Sequence, residues 1–199
     1  MILEALAANG FRSDYRYSAN FISDLGRPDL NASAPLMNAA FYLQGTLFLV
    51  AALLVGRAQR SGSAKPFVAL AATNALGNIV VGTIHSGGHW QHDAGAVLAI
   101  VGGNAAILAG SAVLRGAGAP QWYRIVSVAL ATLGLAAFAA LAVQTVADTA
   151  FAPNAVLERI SVYTIIAWQL FSAFHLRAIW GTLSPWQPRT RGARTTPRS

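Results

Sequence analysis

The segment His85-Ser86-Gly87-Gly88-His89-Trp90-Gln91-His92-Asp93 puts three imidazoles and a carboxylate within nine residues. His85, His89, His92 and Asp93 form a donor set for zinc with an open position for water, the arrangement of metal-assisted hydrolysis. The spacing of four and then three would align the histidines along one helix face. Gly87-Gly88 works against an unbroken helix there. A hydrogen-bonded turn at the membrane surface, with His92 opening the next helix, accounts for the same residues and is the favoured reading.

Two further pairs carry chemical groups. Ser23-Asp24 is half of a nucleophile–base arrangement and becomes one if a histidine approaches. The simpler role has Ser23 or Asp24 capping backbone N–H groups in an ordered loop. Glu158-Arg159 opens a long apolar stretch, where a glutamate is stabilised by the helix dipole. Arg159 there is either an anchor for a lipid phosphate or carboxylate, or the partner of Asp24 or another loop acid; the salt bridge is preferred. Asn38, Asn74, Asn78 and Asn104 lie inside apolar stretches, where amides bond between helices or line a polar path. His175 has no second histidine at its own end of the chain map, which argues against haem.

These groups are positioned by five apolar stretches: Pro35–Gly56, Pro66–His85, Asp93–Leu114, Trp122–Ala147 and Val156–Trp180. Each is about as long as the ~20 residues that cross a hydrocarbon core. The fold class expected is an all-α polytopic transmembrane helix bundle with five spans. Three regions follow: an extracytoplasmic N-terminal loop over residues 1–34, the bundle over 35–180, and a disordered basic cytoplasmic tail over 181–199.

The charges sort across this map. Ten of the fourteen basic residues fall on one side; all seven carboxylates fall on the other, with Arg12, Arg16, Arg27 and Arg159. The sides carry net +10 and −3, so the overall +7 is chiefly a topology signal and does not point to nucleic acid. Basic segments stay inside during insertion, so the C-terminus is cytoplasmic and the acidic side is outside. A bacterial plasma membrane suits an Ala- and Gly-rich, Arg-biased chain without cysteine. Zero cysteines also remove disulfides and thiol chemistry. No Asp, Glu, Lys or Arg lies in the middle of a span, which argues against a proton-coupled pump or an ion channel. Gly95, Ala99, Gly102 and Gly103 mark a small-residue face for close helix packing.

Several short motifs occur in order: Ile22-Ser23-Asp24-Leu25-Gly26, then Asn38 and Gly45, then His92-x-x-Gly95-Ala96, then Glu158-Arg159. The set resembles a widespread group of bacterial six-helix membrane proteins catalogued as a domain of unknown function, itself distantly similar to DRAM-like proteins. The resemblance covers roughly residues 15–180. It implies a fold and no activity or cofactor. Members of that group carry a helix before the Ser-Asp-Leu-Gly loop, so a preceding span is expected to be missing from this chain. The combined expectation is a non-enzymatic membrane protein that binds a lipid, another amphiphile or a partner protein at its outer face. The candidate layer is Ser23, Asp24, Asn38, His92, Glu158 and Arg159. Membrane lipids are the expected partners, beside a membrane-protein partner or a second copy. No cofactor is expected; zinc belongs to the alternative, a membrane-embedded hydrolase built on the histidine cluster.

Overall fold

A computed structural model describes residues 1–59 and 64–182. Six helices occur among them: α1 (Ile2–Ala8), α2 (Ala34–Gln59), α3 (Ala64–Thr83), α4 (Trp90–Gly116), α5 (Gln121–Val146) and α6 (Asn154–Thr182). A 3-10 turn spans Ser23–Gly26. The five long helices are those read from the apolar stretches, and the chain is an all-helical polytopic membrane bundle. Helices α2 to α5 are long and apolar enough to cross a membrane on their own. Helix α6 is not among those four, because it carries Glu158, Arg159, Gln169 and His175. Its packing brings it across all the same. Tyr123, early in α5, bonds to Ser172, late in α6, and Gln144, late in α5, bonds to Asn154, at the start of α6. The two therefore run antiparallel along their whole length, and α6 crosses whatever layer α5 crosses. The basic tail expected over residues 181–199 falls almost entirely outside the described residues, which end at Thr182.

Local signals end the helices. Helix α3 stops at Thr83, two residues before the expected end at His85, because Gly87 and Gly88 adopt φ of 118° and 99°, a region open to glycine and closed to most side chains. Asp93 lies in the first turn of α4 and Arg115 in its last, each matched to the local sign of the helix dipole. Between α5 and α6, Asp148 takes the left-handed conformation at φ 49°, and Gln144 Nε2 donates back to Ala152 O at 3.0 Å.

Packing is tightest between α3 and α4. Where Gly77 lies, a Cβ would stand 2.2 Å from Ala99 N and 2.5 Å from Gly95 O. Backbone meets backbone there, which is the role expected of the small-residue face. On the other side of α4, the buried Asn104 bridges to α6. Its Nδ2 donates to Ser161 O at 3.0 Å and to Ile100 O at 3.0 Å, and its Oδ1 accepts from Thr164 Oγ1 at 3.0 Å. Asn104→Leu is expected to lower stability by about 1–2 kcal/mol, since Thr164 and Ser161 lose a partner across the helix pair. Thermal unfolding in detergent checks this, and an unchanged midpoint would contradict the bridge's contribution.

The core lies toward the end of the bundle where α2 ends and α3 begins, called here the basic end. Phe48, Phe67 and Trp168, from α2, α3 and α6, pack edge to face with ring centroids 6.0–6.2 Å apart. Trp168 Nε1 donates to Ser127 Oγ at 2.8 Å, so its one polar atom is satisfied in the core. The opposite end, where α2 begins, carries the N-terminal segment and every candidate site residue. It is called here the motif end.

Candidate functional site

The N-terminal segment is a folded plug held without disulfides. Arg12 N donates to Leu30 O and Ala32 N to Gly10 O, both at 2.9 Å, pairing the segment's two arms. Between them, buried Asn31 donates to Leu25 O at 2.7 Å and accepts from Ser33 N at 2.9 Å. Asn31→Ala is expected to loosen this plug, leaving the buried Leu25 carbonyl unpaired at about 1–3 kcal/mol. Faster amide exchange over Phe21–Gly26 than in the parent protein is the readout; unchanged protection would contradict it.

Three elements clamp the Ser-Asp-Leu-Gly loop. From α2, Asn38 Nδ2 donates to Gly26 O at 3.1 Å and to His85 Nε2 at 3.2 Å. From the α3–α4 turn, Ser86 Oγ donates to Asp24 Oδ1 at 3.3 Å, while Asp24 Oδ2 accepts from Phe21 N at 3.0 Å. From α6, Glu158 Oε2 accepts from Ile22 N at 2.5 Å. Asp24 is thus a backbone cap and loop staple, and no histidine bonds to it. The apolar side of the same loop, Ile22 and Leu25, packs with Ala7 and Met37.

Arg159 sits beneath this loop, 7 % exposed. It donates to Asn20 O at 2.7 Å, to Ala155 O at 3.1 Å and to the Tyr15 hydroxyl, and lies over the Tyr15 and Tyr17 rings, 5.6 and 5.1 Å from their centroids. Its Nε stands 3.7 Å from Glu4 Oε1, an ion pair too long for a hydrogen bond. The Glu4 oxygens accept from Tyr163 OH at 2.9 and 2.8 Å. Burial pushes the Tyr15 phenol above its ordinary value despite the guanidinium, so it stays protonated and donates to Phe21 O at 3.1 Å. The acid that pairs with Arg159 therefore comes from α1, not from Asp24.

The histidines part company. His85 turns to Asn38, and His92 Nδ1 donates to Ile84 O at 2.6 Å, which makes Nε2 the acceptor in the neutral ring. His89 and Asp93 are exposed. No group of three or more metal-ligating side chains is gathered among the described residues. The donor set read from His85, His89, His92 and Asp93 is not brought together, because the positive-φ glycines send the three imidazoles in different directions.

Between α2 and α6 lies a cavity of about 560 Å³. At the motif end, beneath the plug, it is lined by Glu4, Ser23, His92 and Glu158. Its walls are apolar, and it is crossed deeper in by Gln44, Asn74, Asn78 and Gln169. The distance from Glu158 to Gln169 along α6 is ~16 Å, about half of a hydrocarbon core. The Phe48–Phe67–Trp168 contact joins α2, α3 and α6 outside the lining residues. Above that contact α2 and α6 scarcely approach each other. The cavity reaches the bundle surface there, beside Leu170, which is 53 % exposed.

A family model described as "Protein of unknown function (DUF998)" matches residues 2–175. The chain belongs to this family. The motif resemblance read from the Ser-Asp-Leu-Gly loop, His92 and Glu158-Arg159 pointed to such a family, and membership in it carries no activity. Comparisons with curated proteins and with solved structures gave no match. Of the candidate layer in this DUF998 chain, Ser23, His92 and Glu158 line the cavity, whereas Asp24, Asn38 and Arg159 hold the plug over it. Sequence reasoning gave no role to Glu4. A lone carboxylate in an apolar octet was the available signal, since an acid there needs a buried partner.

Proposed function

We propose that this protein binds a membrane amphiphile in the α2–α6 cavity, without turning it over, with the motif end at the outer face of a bacterial plasma membrane. The observation that carries this is the cavity's form: apolar walls, a polar end beneath the plug, and a side opening at the level of the acyl chains. A volume of about 560 Å³ falls within the ~300–1,000 Å³ typical of small-molecule sites. The clamped plug supplies the roof, so the site is largely formed before a ligand enters. Charge sorting supports the orientation, since the basic segments lie at the other end.

Binding is expected to show as linkage. Lipid-stripped protein should unfold at higher temperature when a long-chain amphiphile is added, by ~2.7 kcal/mol at a concentration one hundred times the dissociation constant. The comparison is the Ala96→Trp variant, whose indole occupies the cavity wall. Stabilisation of both proteins alike would place the ligand elsewhere and contradict the proposal.

A further inference from the structure

Three side chains from three different helices reach the cavity with a polar atom that has no partner. Gln44 Nε2 on α2 and Gln169 Nε2 on α6 are donors, and Asn74 Oδ1 on α3 is an acceptor. Asn74 is 1 % exposed, and its amide nitrogen is fixed by donation to Ala99 O at 2.6 Å, which holds the free oxygen in place. Buried polar atoms without partners are costly, about 1–3 kcal/mol each, and are retained where something completes them. All three line the one cavity. The chemistry that completes them together is a group that both accepts and donates. A hydroxyl does so: its oxygen accepts from the glutamine amides and its proton goes to Asn74.

The polar end beneath the plug disfavours one class of head group. The titratable groups on residues that line the cavity are Glu4, Glu158, His92, Tyr163 and the α-amino group of Met1, with no Lys or Arg among the lining residues. The one guanidinium nearby, Arg159, is committed to Glu4, Tyr15 and two carbonyls. His92 donates its Nδ1–H hydrogen bond to Ile84 O. A phosphate or carboxylate in this cavity would lose its water beside two carboxylates, Glu4 and Glu158, with only the Met1 ammonium among the lining groups to offset them, a cost of several kcal/mol.

Resting on the amphiphile-binding proposal, we infer that the ligand is an uncharged, hydroxyl-bearing lipid, of the acylglycerol class, whose hydroxyl is recognised by Gln44, Asn74 and Gln169. The acyl chain leaves through the side opening beside Leu170. The three amides select the polar group, and the Glu4 and Glu158 carboxylates disfavour anionic relatives.

Native mass spectrometry of the detergent-purified, lipid-stripped protein, titrated with dioleoylglycerol and with dioleoyl phosphatidic acid, tests this. The two share their chains and differ in a hydroxyl against a phosphate. The expected result is at least a tenfold preference for dioleoylglycerol, lost in Asn74→Leu and in the Gln44→Leu/Gln169→Leu double variant. Each replacement is close in size and removes the polar atoms, so the apolar walls and chain contacts persist. Near-equal retention of both lipids, or dioleoylglycerol binding unchanged in the leucine variants, overturns the amide recognition while leaving a chain-binding cavity intact. Retention of neither lipid, or a lipid-free dimer that covers the α2–α6 opening, overturns both this inference and the function proposed above. Circular dichroism of each variant separates a failed fold from lost recognition, and Asn74→Asp supplies a second polar comparison. Its carboxylate is expected to weaken dioleoylglycerol retention less than leucine does.

Discussion

Arg159→Met is expected to destabilise the protein by about 3–5 kcal/mol, the largest effect of any single side-chain deletion at the motif end. The substitution strips the counter-charge from Glu4, which is 3 % exposed, and leaves it buried and unpaired. It also orphans the Asn20 carbonyl and removes the cation from between the Tyr15 and Tyr17 rings. Most of the cost is the stranded carboxylate, so a second change should recover part of it. Glu4→Gln keeps an acceptor for Tyr163 OH and removes the charge, and the Arg159→Met/Glu4→Gln protein should regain more than a third of the loss. Thermal or denaturant unfolding of the four proteins in one detergent forms the double-mutant cycle. Additive effects of the two changes would contradict a coupled buried pair.

Gly77→Val should be worse tolerated than any conservative change on the lipid-facing surface. A side chain at Gly77 meets Ala99 N, Ala99 Cα and Gly95 O, all of them main-chain atoms that no rotamer change can move. Helices α3 and α4 would have to separate, and overpacking of this kind costs about 1–3 kcal/mol, more where backbone must shift. Because the same helix pair forms one wall of the cavity through Asn74, Asn78, Ala96 and Ala99, ligand binding should fail with it. Gly116→Ala is the control: nothing lies within 4 Å of the added methyl, and a helical Ala in place of Gly should be neutral or stabilising by up to ~1 kcal/mol. Size-exclusion profiles and melting of the two variants compare them directly. A well-folded Gly77→Val with unchanged melting would contradict the close α3–α4 approach.

The bundle was legible because a membrane writes its constraint into hydropathy: α2 to α5 stand out by length and apolarity alone. Helix α6 was legible too, despite its polar residues, because Glu158 and Arg159 fall at its first turns and Gln169 within it. What periodicity could not supply was which polar residues meet. Asn104 and Thr164 stand sixty residues apart, and Arg159 lies more than a hundred and fifty from Glu4. The histidine run was open to two readings for a local reason. Spacing of four and three converges only on an unbroken helix, and Gly87 and Gly88 break it. Asp24 was readable as a cap because an acid near a loop N–H needs nothing distant. The cavity was not readable: Gln44, Asn74 and Gln169 are ordinary amides in three separate stretches until α2, α3 and α6 place them along one cavity.

The central claim is that the space between α2 and α6 holds an amphiphile. The most direct measurement is native mass spectrometry of protein extracted gently from its membrane, parent beside Ala96→Trp and Ala99→Leu, two substitutions that fill the cavity wall at different depths. The parent protein should carry one amphiphile per chain that survives detergent exchange, and both filled variants should fly without it. An adduct retained by the filled variants, or a parent protein that carries none, would contradict the claim.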